Sequence, residues 1–386
     1  MRDGYKYLTI KVLFPAVYNK NAKKPLNKNK AVFVEVREPA ISGSFRLMYD
    51  RLKADGEYTV SEQYLRTSFT GKREYVKRVV RMLKDIADAG VIFLNDSTNA
   101  LGHIELREGS KLIQLWHGCG AFKKFGLATG ELKFGESSSE IRKYPYHKGY
   151  SLVTVSSPEV EWAYEMSMDI PKESHVVQGI GVSRTDIFFN EAFLSEANEK
   201  VRRLVPEAGD RKIILYAPTF RGRVATAEAP DRLDIGYMKD VLGDEYFLLI
   251  KHHPFIKERP QIPAELSSFA RDVSDELNIE ELIVSADVCI SDYSSLVFEY
   301  SLMDRPMIFF AYDIEDYADW RGFYYDYDEM TPGPVYTATE DVAEYIKNLP
   351  ESFDAGDREA VRAFRQKFMS GCDGHATDRI KNFIKK

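Results

Sequence analysis

Along nearly the whole chain, short runs of β-branched and apolar residues alternate with stretches of helical periodicity. This is the signature of a parallel α/β sheet. A parallel strand is covered on both faces and reads as a continuous apolar run, while the crossover that returns the chain reads as an amphipathic helix. Strands are predicted at 31–36, 91–94, 112–116, 152–155 and 176–178, then at 213–217, 246–250, 282–290 and 307–310. Ser44–Lys53, Glu74–Ala89 and Ala192–Leu204 read as helices. A polar breaker, Val205 to Asp210, follows the last of these. With 386 residues, too many for one ordinary core, the chain predicts two Rossmann-like doubly wound domains facing each other across a cleft. The expected division is 1–205 and 206–386, with the last helix able to cross back to the first domain.

Composition narrows the function classes. A net charge of −7 argues against a protein that coats nucleic acid. Cys119, Cys289 and Cys372 form no CxxC pair and leave one cysteine over in any pairing scheme, which fits a reducing compartment. No apolar run reaches the ~18–20 residues of a membrane span, and the first residues lack the apolar stretch of a signal peptide. A cytoplasmic protein is expected. Two basic segments stand out on this acidic chain: Lys20, Lys23, Lys24, Lys28 and Lys30, and the amphipathic end with Arg379, Lys381, Lys385 and Lys386. Each reads either as a solvated face or as a contact with an anionic membrane surface.

Ligands of doubly wound sheets bind beyond the carboxyl ends of the strands, and the polar motifs fall there. Ser291-Asp292-Tyr293-Ser294-Ser295 follows an apolar run and precedes a helical pattern. Free backbone N–H groups at such a point suit a phosphate, and Glu299, one turn along on the same face, suits ribose hydroxyls. A plain helix cap is the alternative. His117, between Trp116 and the glycine turn Gly118-Cys119-Gly120, can take up a proton near neutral pH, and Lys123 and Lys124 can meet a phosphate. Lys251-His252-His253-Pro254 ends a strand, with Lys251 and His253 placed to grip phosphate and His252 expected in exposed loop. Thr219 and Arg221, in Ala217-Pro218-Thr219-Phe220-Arg221, form a third anion-suited turn. Gly179-Ile180-Gly181 has Arg184 where a dinucleotide fingerprint needs its third glycine, so it reads as packing near the interdomain crossover. Asp326 and Asp328 read as solvated loop acids, and no metal site or cofactor is expected.

Taken together, these motifs resemble the CDP-glycerol glycerophosphotransferase family, the teichoic-acid primases and polymerases. The matching pieces are Trp116-His117-Gly118 with Lys123 to Gly126, Gly181 to Asp186, Tyr216 to Arg221, Lys251 with His253-Pro254, Asp292 to Ser295, and Tyr312-Asp313 through Arg321-Gly322. The resemblance implies a GT-B fold with the nucleotide held mainly by the second domain, and a cytoplasmic enzyme peripheral on the membrane. It also implies a lipid-linked acceptor at the inner leaflet. His117 and His253 become the catalytic pair. Thr219, Arg221, Lys251, Ser294, Ser295, Glu299 and Arg321 fall on the donor side, and Lys123 and Lys124 on the acceptor side. The chain has Cys119-Gly120-Ala121 where many members have Thr-Pro, which leaves the acceptor and the choice between primase and polymerase open.

The expected reaction is attack of an acceptor hydroxyl, deprotonated by His117, on the outer phosphorus of CDP-glycerol with release of CMP. The alternatives are CDP-ribitol or another CMP-releasing GT-B transfer, including a sialyltransferase-like one, and a non-catalytic nucleotide-binding subunit. A homo-oligomer is left open.

Overall fold

The computed structural model describes residues 2–67, 69–130, 132, 137–222, 226–230, 232–349 and 353–386; the side chains of 2–3, 318–321 and 354–355 lie outside that set. The chain forms two compact units, Met1–Ile187 with Ser370–Lys386, and Phe188–Met369.

The first unit holds a parallel sheet ordered β2-β1-β3-β4-β5-β6. Its strands are β1 (Asn27–Glu35), β2 (Thr59–Tyr64), β3 (Ala89–Leu94), β4 (Lys111–Gln114), β5 (Leu152–Thr154) and β6 (Val177–Gln178). Strand order reverses between β1 and β3, which pair in parallel with Phe33 beside Phe93. Phe33 stacks on Phe93 at 4.6 Å and meets Phe45 edge-on at 5.1 Å. Ile380 and Ile384 of the last helix, Ala376–Lys385, join the same cluster. Each such buried isoleucine stabilises the unit by roughly 1.5–3 kcal/mol.

The second unit repeats the plan with order β12-β11-β10-β7-β8-β9. Here the strands are β7 (Lys212–Tyr216), β8 (Tyr246–Ile250), β9 (Ala270–Asp272), β10 (Val288–Ser291), β11 (Met307–Phe310) and β12 (Val335–Tyr336). The order reverses between β7 and β10, where Tyr216 pairs with Ile290.

Several expectations change. The units divide at 187/188 rather than 205/206. Helix Glu191–Leu204 belongs with the second unit, because Lys200 bonds Glu281 at 2.7 Å and Arg271 donates to the Leu204 carbonyl at 2.6 Å. The apolar run 282–290 is a helix, Ile279–Ser285, followed by β10. The Glu281 carboxylate accepts the Asn278 N–H at 2.9 Å and starts that helix, a signal that a purely apolar reading passes over. Strands β2, β9 and β12 were not expected; all three lie at sheet edges, where one flank is open and the apolar run is short or absent.

The basic last helix is a packing element. Lys381 pairs with Asp55, Lys385 with Glu57 at 2.7 Å, and Arg51 with Asp378 at 3.0 Å. The Gly179–Asp186 segment receives it. Asp186 accepts the Ala376 and Thr377 N–H groups at 3.1 and 2.7 Å, and Ser183 bonds Thr377 at 2.8 Å. Gly181, at φ +92°, leaves no room for a Cβ, which would lie 2.1 Å from the Gly371 carbonyl.

Candidate active site

In the first unit, β4 ends at Gln114, whose side-chain oxygen accepts the Trp116 N–H at 3.0 Å. Trp116 has φ +59°, a left-handed conformation that costs a non-glycine residue about 1–3 kcal/mol. The turn so formed sets His117 on the surface, with its ring 4.5 Å from the Trp116 ring. Phe125 packs on Trp116 at 5.0 Å and on Tyr164 at 5.2 Å, so the Trp116–Gly118 and Lys123–Gly126 motifs form one structure. Lys123 and Lys124 are half-buried on that loop. Tyr164 donates to the Gly120 carbonyl at 2.9 Å and Ser156 accepts the Gly120 N–H at 3.0 Å. Cys119 is buried in this turn.

His117 Nδ1 lies 3.0 Å from the Asn95 carbonyl oxygen. A carbonyl only accepts, so Nδ1 carries the proton and Nε2 presents a lone pair. Asp96 stands 4.0 Å from the same nitrogen and is paired with Arg37 at 2.5 Å, while Arg184 donates to the His117 carbonyl at 2.6 Å. Asn95 is itself held by Glu35, whose carboxylate accepts the Asn95 side-chain N–H at 2.5 Å and the Ser42 N–H at 2.7 Å. Burial pushes the Glu35 carboxyl up. Glu35 and Asn95 end β1 and follow β3, at the point where the strand order reverses. His147 lies behind, with its ring 5.7 Å from Trp116; burial pushes it down to about 4 and keeps it neutral.

In the second unit, the turns after β7 and β10 meet at the reversal point. Asp292 is buried and accepts the Thr219 N–H at 2.8 Å and the Tyr293 N–H at 2.6 Å through one oxygen. Its other oxygen takes Arg221 at 3.0 Å. Thr219 is buried, and its hydroxyl has no hydrogen-bond partner among the described residues. Such a group costs about 1–3 kcal/mol and marks a place where a ligand oxygen can bind. Ser294 accepts the Leu296 N–H at 3.3 Å, whereas the Ser295 side chain makes no capping bond to the helix Leu296–Tyr300. Glu299 is buried on that helix.

The β8 exit differs from expectation. His252 is buried, and desolvation pushes its pKa down; His253 is the half-buried one, with its ring between Phe220 at 4.9 Å and Phe255 at 4.6 Å. His253 Nδ1 accepts the Phe255 N–H at 3.2 Å, so in the neutral ring Nε2 carries the proton. Lys251 donates to the Ser274 and Leu277 carbonyls, both at 2.6 Å, and burial lowers its pKa. Its ammonium thus braces the loop beyond β9. Arg321 ends the helix Ile314–Arg321, and its side chain lies outside the described residues. Asp326 and Asp328 are exposed, and no group of acidic, cysteine or histidine side chains suited to a metal occurs among the described residues.

Sequence reasoning did not find Asn95 and Asp96, because an Asn-Asp pair after a strand looks like any turn. Asp292 and Asp313 lay inside motifs without an assigned role.

Two parallel doubly wound units with polar turns at the strand carboxyl ends define a GT-B-type fold. The fold agrees with the solved wall teichoic acid polymerase TagF, with a TM-score of 0.80 over 100% of this chain and 96% of that one at 23% identity. The family described as CDP-Glycerol:Poly(glycerophosphate) glycerophosphotransferase matches residues 16–386, and the chain belongs to it. It is 34% identical over 374 residues to a teichoic acid poly(ribitol-phosphate) polymerase of Bacillus spizizenii, covering 96% of this chain and 58% of that one. It is also 30% identical over 380 residues to the teichoic acid ribitol-phosphate primase of the same organism, covering 97% and 96%.

Proposed function

We propose that the protein transfers a polyol phosphate from a CDP-polyol to a hydroxyl of a lipid-linked acceptor, with release of CMP. CDP-glycerol is the donor in the first reading. The observation that carries the reaction is the His117–Asn95 hydrogen bond, which leaves Nε2 as an exposed base on a strained turn. In the reaction, Nε2 takes the acceptor's proton as its oxygen attacks the outer phosphorus. The bond from that phosphorus to the bridging oxygen breaks, and the electron pair leaves on CMP. His253 Nε2–H, the Thr219 hydroxyl, Ser294 and Ser295 meet the phosphate charge, and Glu299 meets the ribose. Lys123 and Lys124 sit on the acceptor side, and Lys251 supports the donor side through its loop.

CDP-ribitol is the second reading, and the names of the two ribitol-phosphate relatives favour it. The test is CMP release from CDP-glycerol and CDP-ribitol, each with and without a lipid-linked disaccharide carrying one glycerol phosphate. Acceptor-dependent release from CDP-glycerol supports the first reading, and release from CDP-ribitol alone replaces the donor. No release from either contradicts the reaction class.

No helix among the described residues is long and apolar enough to cross a membrane. The membrane contact proposed here is the amino-terminal helical segment. Its Tyr5, Leu8, Val12 and Leu13 are exposed, and exposed Lys20, Lys23, Lys24 and Lys28 follow it. Apolar residues beside cations suit an anionic lipid surface, each nearby cation adding about 1 kcal/mol. The chain should co-sediment with phosphatidylglycerol vesicles, and a Leu8→Glu, Val12→Glu variant should not; equal binding by both contradicts this surface.

A further inference from the structure

Arg221 follows Thr219 on the turn that would hold the donor phosphates, and a lone arginine there reads as a phosphate ligand. Its surroundings say otherwise. The guanidinium makes four hydrogen bonds: to both oxygens of Asp313 at 2.6 and 2.9 Å, to Asp292 at 3.0 Å and to the Thr219 carbonyl at 2.6 Å. A guanidinium has five N–H donors in a planar fork, so little capacity remains for a ligand. Tyr293, Tyr312 and Tyr317 box it in, with ring centres 5.2, 5.6 and 5.3 Å away. Tyr293 stacks on Tyr317 at 4.0 Å and donates to Asp313 at 2.9 Å.

The two carboxylates are the other half of the arrangement. Asp292 orients the Thr219 and Tyr293 N–H groups, and so fixes both turns that flank the unpartnered Thr219 hydroxyl. A buried carboxylate beside an anion site repels the ligand unless a cation cancels it. We propose that Arg221 is a positioning residue that offsets the charge of Asp292 and Asp313 beneath the phosphate turn, rather than a ligand of the donor's phosphates. Its loss would take the net charge of this cluster from −1 to −2 and make the floor of the site more negative.

This inference rests on the donor-site reading above, and its test separates the two. CDP binding is measured by calorimetry for the native chain, Arg221→Gln, Asp313→Asn and the double variant, at a temperature where circular dichroism shows each folded. Arg221→Gln should weaken CDP binding about 10-fold or more, and Asp313→Asn alone should change it by less than about 3-fold. The double variant should recover most of the loss, because removing one carboxylate together with the guanidinium restores the native net charge of −1. A double variant no better than Arg221→Gln would make Arg221 a direct ligand and overturn the proposal. So would a normal CDP affinity for Arg221→Gln accompanied only by a lower unfolding temperature. A native chain that binds CDP but releases no CMP from either CDP-polyol would overturn the proposed reaction and leave this inference intact.

Discussion

The two units place a histidine just beyond the carboxyl end of a parallel strand, and they fix it in opposite ways. His117, after β4, gives its Nδ1 proton to a backbone carbonyl. His253, after β8, takes a backbone N–H on the same ring atom. One ring therefore shows a lone pair at Nε2 and the other shows N–H. The surroundings differ as well. His117 is exposed beside a buried polar network of Glu35, Asn95 and Asp96, whereas His253 is wedged between Phe220 and Phe255. The same residue type at the same place in two similar folds presents a lone pair in one and an N–H in the other, because the backbone group it meets has the opposite polarity.

Substitutions can break or sharpen that contrast. His117→Ala removes the base and should lower turnover about 10²–10⁴-fold with CDP affinity unchanged, as read by CMP release and calorimetry. Normal turnover would remove the base from the account. His253→Ala removes the proposed donor to the developing phosphate charge, and a loss of about 10²–10³-fold is expected, again in turnover. If the two variants lost the same amount and both lost CDP binding, the division of roles would fail. Thr219→Val removes a buried hydroxyl that has no partner in the described residues. CDP binding should weaken about 10-fold, as for one hydrogen bond to a charged group, while the unfolding temperature holds or rises. A fall in unfolding temperature with full CDP affinity would make the hydroxyl structural.

The smallest effect concerns His147, behind the His117 turn, which burial holds at about 4 against an ordinary 6.5. The unfolded chain takes a proton that the folded chain refuses, so stability falls as pH drops through that window. Between pH 7 and pH 5 this group should remove about 2 kcal/mol, and His147→Gln should lose that much less in parallel urea titrations. Equal losses for both chains would contradict the burial argument.

What could be read from the sequence divides along the same line as the physics. Central strands announce themselves because both faces are apolar, so β1, β3, β7, β8 and β11 fall where apolar runs predict them. Edge strands such as β2, Thr-Val-Ser-Glu-Gln-Tyr, carry polar residues toward solvent and look like loop. The strand-end motifs were legible because each puts glycine, histidine or hydroxyl residues straight after an apolar run. Their hydrogen-bond partners were not. The Asn95 carbonyl is a backbone atom with no sequence signature, and His252, expected in exposed loop, is buried. Lys381 and Lys385 of the last helix read as a surface and proved to be tied to Asp55 and Glu57, residues more than three hundred positions away in the chain.

The most direct test is a ¹⁵N spectrum of the imidazole nitrogens at neutral pH, with the seven histidines sorted by His117→Gln and His253→Gln. The account predicts that His117 in its neutral form carries the proton on Nδ1 and that His253 carries it on Nε2. The reverse assignment at either ring would contradict it, because the proposed base would then have no lone pair at its exposed nitrogen, or the proposed donor no proton.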